Sequence, residues 1–203
     1  MGFLALTVGN IGENTYIYFD DVNKMAAVID PGADAGVILE LLEKKGMTVT
    51  HILLTHGHYD HTGAVEEIRG ATGAAVMAHK DEVNLLLNPR MSYAAAGPVK
   101  ADGFLSDGDT VTVGENVLRV IHTPGHTAGS CCFHAEKEGV LFSGDTLFYE
   151  SVGRYDFPTG NHNALMDSIK QKLYTLPDST TVCPGHMGET SIRHEKAHNA
   201  FVR

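Results

Sequence analysis

The sequence predicts an α+β fold in which two β-sheets pack together and helices cover them on the outside. Three observations support this prediction. Short apolar segments of strand-like composition recur along the 203 residues, separated by Gly, Asn, Asp or Pro. The second half of the chain repeats the order of the first, with strands followed by helices. The hydrophobic fraction of 43% and the charged fraction of 20% are those of an ordinary globular protein.

The first half begins with strands and continues with alternating helices and strands. Strands are predicted at residues 3–8, 14–20, 26–30, 48–54 and 75–78. Helices are predicted at residues 35–45, 63–71 and 81–87. In the first helix, Ile38, Leu41 and Leu42 fall on one face, and Gly46 follows as a C-terminal cap.

The second half is again rich in predicted strands. An irregular connection is predicted at residues 88–101, because it contains two prolines and a glycine and is too short and apolar to separate domains. Strands are predicted at residues 110–113, 117–122, 131–134, 140–143 and 180–183, and helices at 163–174 and from about residue 191. We therefore expect a single domain over residues 1–203, with two comparable halves at roughly 1–100 and 101–203.

Composition and charge argue against several classes of partner. Asp and Glu outnumber Lys and Arg by 25 to 15, which gives a formal charge of −10, and no basic strip is present to bind nucleic acid. No apolar run approaches the roughly 20 residues that span a bilayer, and the first residues lack the features of a signal peptide. Cys131, Cys132 and Cys183 are expected to be reduced, buried thiols. We expect a cytosolic protein that binds neither nucleic acid nor membrane.

A histidine-rich cluster directly follows the predicted strand at residues 48–54. His56 and His58 lie two residues apart, so in extended backbone their side chains point the same way. Asp60 and His61 can turn toward a second position as the chain enters a helix. Imidazole and carboxylate are ligands for Zn, Fe or Mn. So many titratable groups side by side favour a shared cation over a solvated polar turn.

Three further candidate ligands follow other predicted strands. His126, Asp145 and His186 each come a few residues after a strand, and each has a glycine immediately before it. Glycine lets the backbone approach a site closely. A single His or Asp in a turn is usually structural, but together with the first cluster these residues supply five imidazoles and two carboxylates. The sequence therefore predicts a site for two metal ions.

This pattern resembles the metallo-β-lactamase superfamily, and the motifs that carry the resemblance run from Asn14 to the C-terminal helix. The resemblance implies a four-layer αββα sandwich with the dimetal site at one edge of the sheets. It implies these ligands: His56, His58 and His126 for the first metal, Asp60, His61 and His186 for the second, and Asp145 bridging both. The complete set resembles the glyoxalase II type, although 203 residues leave no room for the C-terminal helical domain of larger glyoxalase II enzymes.

The expected cofactor is a pair of divalent metal ions, with zinc favoured over iron or manganese. Two such ions can lower the pKa of a shared water and present hydroxide at neutral pH. One of them can polarise a substrate carbonyl. The resemblance implies that Asp60 also orients the nucleophile. A thiolate leaving group suits such a site, because it needs little protonation.

The loop after Asp145 bears on the substrate. Residues 144–158 resemble short bacterial glyoxalase II-like hydrolases, as do residues 13–16 and 189–192. This resemblance implies hydrolysis of S-D-lactoylglutathione or a related thioester to a hydroxy acid and a free thiol.

Arg154 is the candidate contact to the thiol carrier, because a guanidinium binds carboxylates with two parallel hydrogen bonds. A structural pair between Arg154 and Asp156 is the alternative. Tyr149 and Tyr155 either line the pocket or pack within the loop.

Two other functions stay open. Residues 153–157 also resemble persulfide dioxygenases of this fold, which bind one iron through two His and one Asp. In that case His56, His126 and Asp145 would suffice. A non-enzymatic metal-storing or scaffold protein is the other alternative. His79 and His122 either support the metal ligands or are ordinary core or surface histidines.

Overall fold

The computed structural model describes residues 2–93 and 97–202, and its two six-stranded sheets confirm the predicted α+β architecture. The first sheet contains, in order, β1 (Gly2–Val8), β2 (Glu13–Asp20), β3 (Met25–Ile29), β4 (Thr48–Leu53), β5 (Ala75–His79) and β6 (Gly103–Leu105). The second contains β7 (Thr110–Val113), β8 (Asn116–His122), β9 (Cys131–Ala135), β10 (Val140–Gly144), β13 (Thr181–Pro184) and β14 (Thr190–Ser191). A separate hairpin consists of β11 (Leu147–Phe148) and β12 (Ser151–Val152).

The helices are short, and most precede or follow a strand of one of the two sheets. They are α1 (Ala35–Lys45), α2 (Tyr59–Thr62), α3 (Val65–Thr72), α4 (Val83–Leu86), α5 (Pro89–Ser92), α6 (His162–Gln171) and α7 (Ile192–His198). Two 3-10 turns, Lys80–Glu82 and Leu173–Thr175, precede α4 and follow α6. No helix among the described residues is long and apolar enough to cross a membrane.

Three apolar layers hold the elements together. The middle layer lies between the sheets, where Tyr16 of β2 packs on Phe142 of β10 with ring centroids 5.1 Å apart. The outer face of the first sheet packs on α1 and α3 through residues such as Ile38 and Ile68. The outer face of the second sheet packs on α6 and α7 in the same way. The order of layers is therefore helix, sheet, sheet, helix. Cys131, Cys132 and Cys183 are free and buried, as predicted.

Element boundaries differ from the sequence prediction in several places. The helix predicted at residues 63–71 is preceded by the separate turn of α2, and Gly63 and Ala64 divide the two. Within the connection predicted at residues 88–101, α5 forms a helical turn, and residues 94–96 lie outside the described residues. The strands β6, β11, β12 and β14 were not predicted, because two or three residues are too few to show a periodic pattern.

Strand direction brings the predicted ligands to one edge of the molecule. In the first sheet β3, β4 and β5 are parallel, so their carboxyl ends lie side by side. In the second sheet β10 and β13 are parallel. β8 runs in the same direction as β10, because both are antiparallel to β9. The segments that follow these strands carry the predicted metal ligands.

Candidate metal centre

The imidazoles of His56, His58 and His126 meet at one point and could hold a metal ion. Nε2 of His126 lies 3.2 Å from Nε2 of His56 and 2.9 Å from Nδ1 of His58. The remaining nitrogen of His126, Nδ1, donates to the carbonyl of Arg154 at 2.7 Å. Such a hydrogen bond on the far nitrogen fixes the ring so that the other nitrogen faces the metal position.

Asp60, His61 and His186 form a second group of potential ligands. Nε2 of His186 lies 3.2 Å from Oδ2 of Asp60, and Nε2 of His61 lies 3.6 Å from the same oxygen. Asp60 and His61 lie in the single turn of α2, which rotates them away from the direction of His58. His61 is fully buried, whereas His186 is partly open to solvent.

Asp145 lies between the two groups. Its Oδ1 is 3.4 Å from Nε2 of His61, and its Oδ2 is 3.6 Å from Nε2 of His126 and 3.8 Å from Nε2 of His186. A single carboxylate thus faces both positions. The structure therefore brings all seven predicted ligands together at one edge of the sheets.

Backbone geometry explains how Asp145 reaches this position. The register between β10 and β13 shifts between Phe142 and Gly144. Gly144 adopts a φ of 48°, and a Cβ there would lie 2.6 Å from Cβ of Thr55. Only glycine fits such a left-handed, closely packed position. Gly185, which donates to the Gly144 carbonyl at 2.9 Å, brings the loop that carries His186 against the same turn.

The surroundings of the four clustered imidazoles shift their pKa values in directions that suit metal binding. Burial lowers the pKa of His58 to about 3 and also lowers the pKa values of His56 and His126, so these three imidazoles are neutral at pH 7. Burial opposes charge on His61 as well, but Asp145 and Asp30 raise its pKa well above the usual value. The carboxylates around His61 thus favour a positive charge at this point, and a bound cation would supply one.

Whether a metal ion fits this site can be judged from the buried polar atoms that lack a hydrogen-bond partner. Nε2 of His61 and Oδ1 of Asp145 are buried and have no hydrogen-bond partner. Buried polar atoms are normally satisfied, so these two atoms are natural metal ligands. A Cβ on Gly185 would lie 2.6 Å from Cε1 of His61, so glycine keeps this space open. Neutral imidazoles with carboxylates are a donor set for Zn, Fe or Mn. The residues present therefore fit a pair of divalent ions.

Two buried carboxylates that sequence reasoning missed support the second group. Oδ2 of Asp30 lies 3.0 Å from Nδ1 of His61, and Asp30 also accepts from the amide of Thr55 at 2.7 Å. Oε1 of Glu13 lies 3.7 Å from the same His61 nitrogen, and burial raises the pKa of Glu13 to about 9. Asp30 was detectable in principle, because like the ligands it directly follows a strand. Glu13 was noticed in the sequence only as part of a family motif.

A cavity of about 590 Å³ opens over the metal ligands. Its wall is largely apolar and aromatic, and includes Ile11, Tyr59, Tyr93, Phe148, Val152, Phe157 and Met187. Phe157 packs edge-on against His58 with ring centroids 4.9 Å apart. Met187 adopts a φ of 70°, a conformation that favours glycine, and its side chain is 59% exposed at the cavity mouth. An apolar part of a substrate can contact this wall.

The two predicted substrate contacts occupy different positions. Arg154 lines the cavity, but its Nε and Nη2 donate to the carboxylate of Asp156 at 2.9 and 2.8 Å, and its guanidinium lies 4.1 Å from the centre of the Phe157 ring. Tyr155 does not line this cavity, because its exposed ring packs against His162. Tyr149 is likewise exposed and stacks on His194. Tyr155 as a substrate contact stays a prediction, and its ring lies outside the residues that line this cavity.

His79 and His122 form a contact between the two sheets. Their rings stack 3.9 Å apart at an interplanar angle of 11°, and the carboxylate of Asp81 lies close to both. One ligand atom from each of these three side chains lies within 4.8 Å of the others. Nε2 of His122 also donates to the Ala128 carbonyl at 3.0 Å. We assign this pair to packing.

The layered fold and the seven convergent candidate ligands are those expected of a metal-dependent enzyme. Residues 9–186 match the family model described as the metallo-beta-lactamase superfamily, and the chain belongs to this superfamily. The αββα sandwich predicted from the sequence is confirmed.

Similar proteins include metal-dependent hydrolases of bacteria. A probable metallo-hydrolase of Bacillus subtilis, YqgX, is 33% identical over 100% of this chain and 98% of its own length. The hydroxyacylglutathione hydrolase GloC of Haemophilus influenzae is 33% identical over 100% of this chain and 98% of its own length. The geometry of the site and the similarity to these relatives support a metal-dependent hydrolase.

Three solved structures are similar to this chain over nearly its whole length. The B3 metallo-beta-lactamase BLEG-1 has a TM-score of 0.93 at 38% identity, covering 99% of both chains. TTHA1623 in a di-iron-bound form has a TM-score of 0.87 at 33% identity, covering 98% of this chain and 99% of the other. ETHE1 from Myxococcus xanthus has a TM-score of 0.84 at 34% identity, covering 98% of this chain and 84% of the other.

Proposed function

We propose that this protein is a binuclear metal-dependent thioester hydrolase that cleaves S-D-lactoylglutathione or a related thioester. Water adds to the thioester carbonyl, the carbon–sulfur bond breaks, and the proton released by the water passes to the departing thiolate. The products are a hydroxy acid and a free thiol. We propose zinc as the metal, with iron or manganese as alternatives, and a cytosolic location in keeping with the three free cysteines.

The second group of ligands is the observation that carries this proposal. A single-iron site needs only two imidazoles and one carboxylate. Here Asp60, His61 and His186 converge beside Asp145, and Asp30 holds the buried ring of His61 in place. The similarity to the hydroxyacylglutathione hydrolase of Haemophilus influenzae supports a thioester as the substrate.

The residues at the cavity floor have distinct parts in this reaction. Bound divalent ions would supply an activated water and polarisation of the substrate carbonyl. The Asp60 side chain is 13% exposed and lines the cavity, so it can accept a hydrogen bond from the attacking water and orient it toward the substrate. Phe157 and Phe148 line the same cavity and exclude bulk water from one side. No general acid is required, since a thiolate is a good leaving group.

Metal content and hydrolysis measured on one preparation test this proposal. We expect two ions per chain and release of free thiol from S-D-lactoylglutathione and from a small neutral thioester. A β-lactam serves as the competing substrate, because one similar structure is that of a B3 metallo-beta-lactamase. Opening of the β-lactam by protein with two ions per chain that leaves both thioesters intact would contradict the proposal.

Arg154→Ala is expected to raise KM for S-D-lactoylglutathione roughly 10-fold while changing kcat less, because a charged hydrogen bond to the thiol carrier is lost. His126 should keep its orientation, since it bonds to the backbone carbonyl of Arg154 and not to the side chain. Steady-state kinetics on S-D-lactoylglutathione and on a neutral thioester measure the effect. Arg154→Lys should recover only part of the affinity.

Asp156→Ala is the matched control, because it removes the partner of Arg154 and leaves the guanidinium in place. If Arg154 binds substrate, this variant keeps or lowers KM for S-D-lactoylglutathione. If both variants damage both substrates equally, Arg154 and Asp156 are a structural pair that holds the loop.

A further inference from the structure

We propose that Glu82 is a positioning residue for the first metal position, and that it aligns His56, His58 and His126 without acting on the second. This inference rests on the metal-binding part of the proposed function. It does not depend on which substrate is cleaved.

Both carboxylate oxygens of the buried Glu82 side chain accept hydrogen bonds. Glu82 ends the 3-10 turn after β5 and is 1% exposed. Its Oε1 accepts from the amide of Gly57 at 2.9 Å. Its Oε2 accepts from the hydroxyl of Thr127 at 2.9 Å and from the amide of Gly129 at 2.8 Å. Both oxygens are therefore satisfied by donors that lie far away in the sequence.

These donors lie in the two loops that carry the ligands of the first metal. Gly57 stands between His56 and His58, and Thr127 directly follows His126. Of these two loops, one follows β4 of the first sheet and the other follows β8 of the second. Glu82 thus connects the two sheets at the point where the three imidazoles must converge.

Close packing brings the loop of Gly129 against the 3-10 turn that ends at Glu82. A Cβ on Gly129 would overlap the backbone nitrogen of Glu82 and lie 2.5 Å from its Oε2, whereas a Cβ on Gly57 would first meet Leu86, at 3.0 Å. The first distance is closer than real Cβ contacts, so an amide could not approach the carboxylate there if residue 129 had a side chain. Glycine at this position permits the hydrogen bond.

The second metal position depends on other groups. His61 contacts Asp30 and Glu13, and Asp60 contacts His186. Among the described residues, the side-chain hydrogen bonds of Glu82 go to Gly57, Thr127 and Gly129 and to none of these groups. Glu82 therefore contacts the loops of the first metal position, whereas Asp30 contacts His61 of the second and also accepts from the Thr55 hydroxyl, which lies 3.1 Å from Nδ1 of His56.

Glu82→Gln tests this division. Glutamine keeps the size of the side chain, but its NH₂ group faces a donor in at least one of the three contacts, so the loops should relax. We expect the ion of the first position to be lost to a chelator at least roughly 10-fold faster, the lower end of the usual effect of such supporting groups. The release rate is measured with no substrate present.

Two backgrounds separate the metal positions. In His186→Ala, which leaves the first position complete, Glu82→Gln should accelerate release. In His58→Ala, which leaves the second position complete, it should change release little. The visible spectrum of the cobalt-substituted His186→Ala protein should change on Glu82→Gln, because ligand geometry determines this spectrum.

Equal acceleration in both backgrounds, or no change in either, would overturn the inference. If Glu82→Gln does not fold, Thr127→Val removes one donor and Thr127→Ser retains it. Faster release from the first position in Thr127→Val but not in Thr127→Ser then supports the inference, and equal release from both overturns it. Failure to hydrolyse thioesters would not affect these outcomes.

Discussion

Asp145→Ala is expected to remove most of the bound metal and nearly all hydrolase activity. The two oxygens of Asp145 face His61 on one side and His126 and His186 on the other, so the variant loses a contact to both positions. Groups that only support a ligand already cost 10–100-fold in metal affinity, so loss of a shared ligand should exceed ~10³-fold in kcat/KM. Metal analysis and thioester hydrolysis on the purified variant measure both effects.

The effect should be specific to this carboxylate. Asp178→Ala is a suitable control, since Asp178 makes an exposed ion pair with Lys196 at 2.7 Å, and such pairs contribute little to stability. It should retain two ions per chain and full activity. If Asp145→Ala also retained two ions per chain, Asp145 would not bridge the metals.

The convergence of the candidate ligands could be predicted from the sequence because their pattern is local. His56 to His61 form one short run, and His126, Asp145 and His186 each follow a strand and a glycine. Parallel strands end at the same edge, which is why residues 126, 145 and 186 meet the first run. The assignment of individual residues to one metal position or the other came from the resemblance to a family, because spacing alone does not show which residues share a metal ion.

The groups that support the ligands could not be predicted in the same way. Glu82 lies between Asp81 and Val83 in an ordinary polar turn, and nothing local distinguishes it from a solvated glutamate. Its partners are 25, 45 and 47 residues away, and they become neighbours only when β4 pairs with β5 and the two sheets pack. Such contacts are set by tertiary structure, which a single sequence does not reveal.

The predicted substrate contacts show a second limit of what a single sequence can predict. Arg154 and Tyr155 are adjacent, yet Arg154 lines the cavity while Tyr155 turns to His162. Neighbouring residues in a loop have no fixed periodicity, so composition could not separate them. The aromatic wall of the cavity comes from several separate segments, including Tyr93, Phe148 and Phe157, and was not predicted as a unit.

Replacing His61 and His186 together by alanine is expected to abolish thioester hydrolysis and leave about one ion per chain. Both imidazoles of the second position are then gone, while His56, His58, His126 and Asp145 remain. A binuclear hydrolase should lose at least ~10³-fold in kcat/KM, because the charge that a second ion would contribute to activating the water and stabilising the developing oxyanion is gone. Metal analysis, hydrolysis and oxygen consumption with a persulfide should be measured on the same preparation.

This double variant separates the binuclear hydrolase from a mononuclear iron enzyme. A persulfide dioxygenase needs only His56, His126 and Asp145, so it would keep its oxygen consumption with a single iron. His162→Ala with His198→Ala is the matched control, since both side chains are exposed and lie outside the cavity. Full hydrolysis in the His61 and His186 double variant would overturn the binuclear proposal. Oxygen consumption with one bound iron would instead establish the mononuclear alternative, because the reaction would then proceed without His61 and His186.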